Sequence, residues 1–199
     1  YGGIARVYSL LAPKLNKYYK IEIITLKNIK EVDWFNDCNI NISSILTTSK
    51  FRWYNPMQLV FVLIRLFKIL NKNKYDVSIS SGYFINFING YFIKRFGIKC
   101  ILTQHADILD ELNSVNSTTS YSLKKMLIRL SFLNADKVVA VSKGIEEVLI
   151  ETLKIQSKKC ITINNPIDIQ NIKNKRRDPF TKKIYKDFYS SSKFHFISA

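Results

Sequence analysis

The run Ala135-Asp136-Lys137-Val138-Val139-Ala140-Val141-Ser142-Lys143-Gly144-Ile145 decides the fold. Its apolar, β-branched part stops at Ser142, and a helix-period pattern begins directly after it, so Ser142 stands at a strand-to-helix junction. The amphipathic run that follows closes near Asn164-Asn165-Pro166-Ile167-Asp168. In open α/β sheets such junctions lie at the carboxyl ends of strands, where ligand groups collect.

The same alternation repeats outward from that block. Upstream, β-branched content predicts strands at Lys20–Leu26, Asn39–Ile45, Tyr75–Gly82 and Cys100–His105, and downstream at Cys160–Ile163. Helical spacing of Ile4, Val7, Leu10, Leu11 and Leu15 predicts a helix directly after Gly2-Gly3. Further helices are expected at Met57–Leu70, Tyr83–Phe96 closed by Gly97, Ser122–Asn134 and Lys143–Leu153. Met57–Leu70 is apolar enough to be largely buried. Arg65 and Lys68, with Arg52 nearby, would also suit an interfacial basic helix, but core packing is the expected role. Ala106 to Tyr121 is polar and reads as a mobile loop over a site. Strands alternating with helices of about a dozen residues make βαβ units, and hence an α/β, Rossmann-like doubly wound parallel sheet covered on both faces.

Composition narrows the classes. The chain has 199 residues, 47% of them hydrophobic, and a formal net charge of +16. That is enough apolar content for a packed core, and the charge predicts attraction to polyanions. No run of about 18 apolar residues is present to cross a membrane. Cys38, Cys100 and Cys160 have no ligand-like spacing to one another or to His105 and His195, so they read as reduced, small hydrophobes of an intracellular protein. The opening Tyr1-Gly2-Gly3 and the strand-like close Phe194–Ala199 are those expected of a piece cut from a longer chain. The expected division is a Rossmann-like domain over 1–168, a basic connector over 169–193 with room for one short helix, and at 194–199 the first strand of a further domain.

Several chemistries find no support. There is no G-x-S-x-G elbow, no Walker A segment and no six-residue dinucleotide glycine fingerprint. A nucleic-acid-binding module is likewise missing from the pattern, so no nucleic acid partner is expected. What remains is a convergence at one sheet edge: Gly2 and Gly3 before the first helix, the loop after Ser80, His105 just past its strand, and Ser142 at the end of its own. Paired glycines let backbone N–H groups approach a phosphate at a helix N-terminus. Ser142 suits a helix cap, and a strand-end histidine suits hydrogen bonding or proton transfer. Asp107, Asp110 and Glu111 are expected to face solvent.

Four segments together resemble the N-terminal, acceptor-side domain of the GT-B glycosyltransferases, in particular glycosyltransferase family 4. They are Gly2-Gly3-Ile4-Ala5-Arg6-Val7, Tyr75-Asp76-Val77-Ser78-Ile79-Ser80, Thr103-Gln104-His105, and the Ala135–Ser142 block continued through Ile161–Asp168. The resemblance implies a retaining, hexosyltransferase-type transfer of sugar from a nucleotide-sugar donor to a glycan or lipid-linked acceptor, with no cofactor and no metal. It places Gly2 and Gly3 against the donor phosphates and His105 near the reacting sugar. Ser142, Gly82 and Asn165 then fall along the substrate cleft. It further implies a cytoplasmic protein, peripheral on the inner face of the plasma membrane, with the anionic membrane surface as a partner. Asn165-Pro166 departs from the family's Asn-Gly, so that turn must form without a glycine. The family's paired glutamates, seven residues apart in the second domain, have no counterpart in this sequence, so this stretch alone is expected to be inactive. The alternative is a non-catalytic basic module that docks to anionic membrane or nucleic acid.

Overall fold

The computed structural model describes residues 3–27, 40–46, 56–113 and 118–177. The chain divides into two compact units, Tyr1–Pro166 and Ile167–Ala199. In the first, the helix α1 (Gly3–Leu15) leads into β1 (Glu22–Lys27), β2 (Asn41–Leu46), α2 (Pro56–Lys72), β3 (Val77–Ser81) and α3 (Tyr83–Phe87). β4 (Lys99–Gln104), α4 (Ile108–Asn113), α5 (Thr118–Asn134), β5 (Lys137–Ala140), α6 (Lys143–Leu153) and β6 (Cys160–Thr162) complete it. In the second unit, α7 (Ile169–Arg177) starts on Asp168, whose carboxylate accepts from the Asn171 N–H at 3.0 Å. Connector residues past Arg177 and the strand expected at 194–199 lie outside the described residues, as does Cys38. Among the described residues no helix is long and apolar enough to cross a membrane.

All the strand pairs are parallel, as the βαβ pattern requires, but the described strands form two sheets rather than one. β1 pairs with β2, and β3, β4, β5 and β6 lie side by side in that order. Between β1 and β3 is a cavity of about 160 Å³, lined by Ile24, Leu26, Val62, Leu66, Ile79 and Asn89 among others. One carboxylate spans the division. Glu22 of β1 accepts from Ser43 of β2 at 2.9 Å and from the Tyr75 hydroxyl, just ahead of β3, at 2.6 Å. Burial and that carboxylate together hold the Tyr75 phenol above its usual pKa.

The deciding block folds as the sequence predicts. Val138 and Ala140 point into a closed core with Leu102, Phe132, Leu149 and Leu153, all fully buried. Asp136 fixes the start of β5: its carboxylate pairs with Lys94 and accepts from the Cys100 N–H at 2.8 Å, which ties β5 to β4 and to the turn before it. The Lys94 ammonium, first among the causes, holds this carboxyl below its usual pKa.

Three further expectations change. The helix expected over 83–96 is α-helical only to Phe87, then runs as a π-helical turn (Ile88–Phe92) and a 3-10 turn (Ile93–Phe96) ended by left-handed Gly97, φ 76°. A close approach accompanies the break: a Cβ at Gly90 would lie 2.4 Å from the Ser131 carbonyl oxygen, so only glycine lets α5 come this near. The polar stretch 106–121 is not one loop. Asp107 caps α4, accepting from the Leu109 N–H at 2.8 Å, and α5 already begins at Thr118. Lastly, α2 is not largely buried, because its outer side is exposed along its length.

Candidate functional site

The sheet's carboxyl edge is assembled by parallel strands in register. Ser81 of β3 lies opposite Thr103 of β4, and Gln104 opposite Ala140 of β5, so the residues leaving these strands emerge side by side. At the end of β3 the chain turns through Gly82, whose φ of 88° belongs to glycine's range. The buried Asn86 side chain then fixes that corner. Its amide donates to the Thr103 carbonyl at 3.0 Å, its carbonyl accepts from the Ser80 hydroxyl at 2.7 Å, and its backbone N–H donates to the Gly82 carbonyl at 2.8 Å.

On that floor sits a chain of hydroxyls running to His105. Thr103 Oγ1 donates to the Ser80 carbonyl at 2.8 Å, which spends its single proton. It therefore accepts from Ser81, and Ser81 in turn accepts from the Tyr8 hydroxyl at 2.7 Å. His105 Nε2 lies 3.2 Å from Thr103 Oγ1 and 3.4 Å from Ser81 Oγ. With the Thr103 proton already placed, the network assigns the ring proton to Nε2 and leaves Nδ1 with its lone pair. Burial pushes the imidazole below its ordinary pKa of 6.5, and the Asn165 side chain opposes this more weakly by favouring the protonated ring. A neutral ring with one committed nitrogen and one basic nitrogen is suited to accepting a hydrogen bond or a proton.

The structure thus brings His105, Asn165 and the Gly82 corner to one edge. Ser142 stands at the same edge as the N-cap of α6, with Oγ accepting from the Ile145 N–H at 3.3 Å. Its neighbour Val141 is tied in from both sides: its N–H donates to the Gln104 carbonyl at 3.2 Å, and its carbonyl accepts from the Asn164 amide at 3.4 Å. Gly3 is the exposed first residue of α1, about 7.5 Å along the helix axis from Tyr8. Gly2 lies outside the described residues. Asp107 serves α4 as its cap and Asp110 is exposed. Among the described residues no three His, Cys, Asp or Glu side chains converge as a metal site. Cys100 is fully buried, its thiol pushed up to about 11, chiefly by burial.

Tyr8, Ser81 and Thr103 are the cluster members that sequence reading passed over. Their signal was faint but present: hydroxyl residues close to the carboxyl ends of two neighbouring strands, and a tyrosine one turn after Ile4 on a helix otherwise read for its apolar face.

Comparison with known proteins agrees with this architecture. The chain is 26% identical over 182 residues to the N-acetylgalactosamine-N,N'-diacetylbacillosaminyl-diphospho-undecaprenol 4-alpha-N-acetylgalactosaminyltransferase of Campylobacter jejuni, a match covering 92% of this chain and 49% of that protein. The chain therefore spans about half the length of that relative. A sucrose-phosphate synthase structure from Thermosynechococcus elongatus superposes with a TM-score of 0.58 at 12% identity, covering 94% of this chain and 95% of that one, which bears on the fold. Residues 1–171 match the profile of Glycosyltransferase Family 4, and with that match over the parallel sheet and its strand-end cluster, the chain belongs to glycosyltransferase family 4 and has the fold of a GT-B N-terminal domain.

Proposed function

We propose that this chain forms the acceptor-side half of a retaining glycosyltransferase, which moves a sugar from a nucleotide-sugar donor to a glycan or lipid-linked acceptor without a metal. The observation that carries the reading is the neutral, oriented imidazole of His105 at the carboxyl edge of the sheet, backed by Thr103 and Ser81 and flanked by Asn165. Sugar transfer to a hydroxyl needs a hydrogen-bonding group beside the reacting carbon and stabilisation of a departing diphosphate. His105 Nδ1 supplies the first. Backbone N–H groups at the start of α1, at Gly3 with Gly2 before it, supply the second. Asn165 and the Gly82 corner shape the wall along which the acceptor lies, with Ser142 behind them. A lipid-linked acceptor is favoured because the named activity of the Campylobacter jejuni relative is on a diphospho-undecaprenol substrate.

The test uses the whole protein in which this chain occurs, a panel of nucleotide sugars, and undecaprenyl-diphosphate-linked saccharides, with product configuration read by NMR. Transfer with retained anomeric configuration, unchanged by EDTA, is expected. His105→Ala should lower kcat by about 100-fold or more. Thr103→Val removes the acceptor for Nε2–H while keeping the side chain's shape, and should cost about 10-fold through loss of ring orientation. The pH profile should show an acid limb with its midpoint below 6.5. Unaltered turnover in His105→Ala would remove the histidine from the reaction.

A further inference from the structure

Three hydroxyls from three elements meet beside His105. Tyr8 stands on α1, Ser81 ends β3 and Thr103 lies near the end of β4, so the Tyr8 oxygen reaches partners 73 and 95 residues away along the chain. Their protons run one way. Thr103 gives its proton to the Ser80 carbonyl, and Ser81 gives its own to Thr103. The Tyr8 hydroxyl stands 2.7 Å from Ser81 Oγ and 3.5 Å from Thr103 Oγ1, the limit of a hydrogen bond, so its proton goes to Ser81. Each bond of such an aligned chain polarises the next.

Ser81 is the junction. A hydroxyl oxygen has one proton and two lone pairs, and three polar neighbours claim them. Thr103 takes the proton, Tyr8 fills one lone pair, and the imidazole Nε2–H faces the other at 3.4 Å. With every direction assigned, the Ser81 hydroxyl has no other position to visit. Without the Tyr8 proton it is held by Thr103 alone and is free to turn. The ring then keeps Thr103 at 3.2 Å and loses its second fixed acceptor.

Packing alone does not call for a hydroxyl on α1 at this place. Tyr8 is half-buried, and a phenylalanine would fill the same space without touching Ser81 through a proton. The neighbouring Ser9 hydroxyl is spent on the Arg6 carbonyl at 2.8 Å, so it does not stand in for the phenol.

We propose that Tyr8 is a positioning residue of the transfer reaction, acting through Ser81 to seat the imidazole of His105. This deepens the proposed function and rests on the role assigned there to His105.

Kinetics and NMR of the whole protein in which this chain occurs test it, with the nucleotide sugar and the undecaprenyl-diphosphate-linked saccharide that wild type turns over. Tyr8→Phe should lower kcat about 5-fold with both KM values little changed. Ser81→Ala should lower kcat by at least as much. Tyr8→Phe/Ser81→Ala should lose no more than Ser81→Ala, because the phenol acts only through that oxygen. In long-range proton–nitrogen spectra, with the His105 signals identified by their absence from His105→Ala, the Nε2–H proton should exchange with solvent about 5-fold faster in Tyr8→Phe. A packing role would leave that rate where it is. An unchanged kcat or an unchanged exchange rate in Tyr8→Phe would overturn the proposal, and so would losses that add in the double variant. Full turnover in His105→Ala would end the role of His105 and this proposal with it, whereas a loss in His105→Ala beside an unaltered Tyr8→Phe ends this proposal alone.

Discussion

The β4–β5 side and the β1–α2 side of the domain are written in the same alternation of strand and helix, yet they pack to different degrees. On the first side, Leu102, Phe132, Val138, Leu149 and Leu153 are wholly buried in one cluster, with α5 drawn onto the π-helical turn through Gly90. On the second, Val62 and Leu66 face a cavity, β1 and β3 do not pair, and α2 leaves Val60, Phe61, Ile64 and Phe67 exposed. Apolar content therefore does not distinguish a closed core from an open one. What distinguishes them is whether each apolar face meets another within the described fold.

Matched truncations measure that difference most directly. Leu149→Ala should cost about 4 kcal/mol, because its neighbours on the closed side cannot collapse into the space. Leu66→Ala borders space that is already open and should cost about 2.5 kcal/mol. Urea denaturation of both variants checks this, and equal costs would mean that the two sides are packed alike. Gly90→Ala probes the closed side from its backbone: a methyl group pressed against the Ser131 carbonyl should cost about 3 kcal/mol, against almost nothing for Gly144→Ala, where the added Cβ meets open space. Asp136→Ala should cost about 1–2 kcal/mol by stripping the Cys100 N–H and Lys94 of their shared partner. The pH dependence follows from the sign of its shift. A carboxyl with a lowered folded-state pKa contributes stability in full above the ordinary value of 3.8 and loses it as pH falls through the folded value. Wild type should thus lose stability on acidification more steeply than Asp136→Asn, by a modest amount because the pair is partly exposed.

The sequence was most legible where local signals agreed. In Ala135–Ser142 the β-branched run, the cap and the following helical period all point the same way, and β5, Ser142 and α6 stand where they were expected. Parallel strand order was legible as a class but not in detail, because pairing across a crossover leaves no local trace; hence the division between β1 and β3. α2 misled for a different reason. Apolar residues on every side of a helix say that two faces need partners, not that both partners are in the same domain. The short α4 was hidden in a polar stretch, with Asp107 as its only signal. At the site, His105, Gly82 and Asn165 stood out as distinctive residue types in distinctive places. Thr103 and Ser81 did not, since only the register that sets them opposite each other turns two ordinary hydroxyls into the support of a histidine ring.

The unpaired edge of β3 has a consequence for how the molecule behaves in bulk. Among the described residues, that edge pairs with no strand, and its Val77 and Ile79 are 47% and 48% exposed. Another strand could pair with that edge only by entering the space between β1 and β3, and mutual repulsion at a net charge of +16 opposes its approach. Salt shortens the range of that repulsion to about 3 Å at 1 M. Colloidal stability should therefore decline as ionic strength rises, so that turbidity at concentrated stock solutions is governed by screening before it is governed by unfolding.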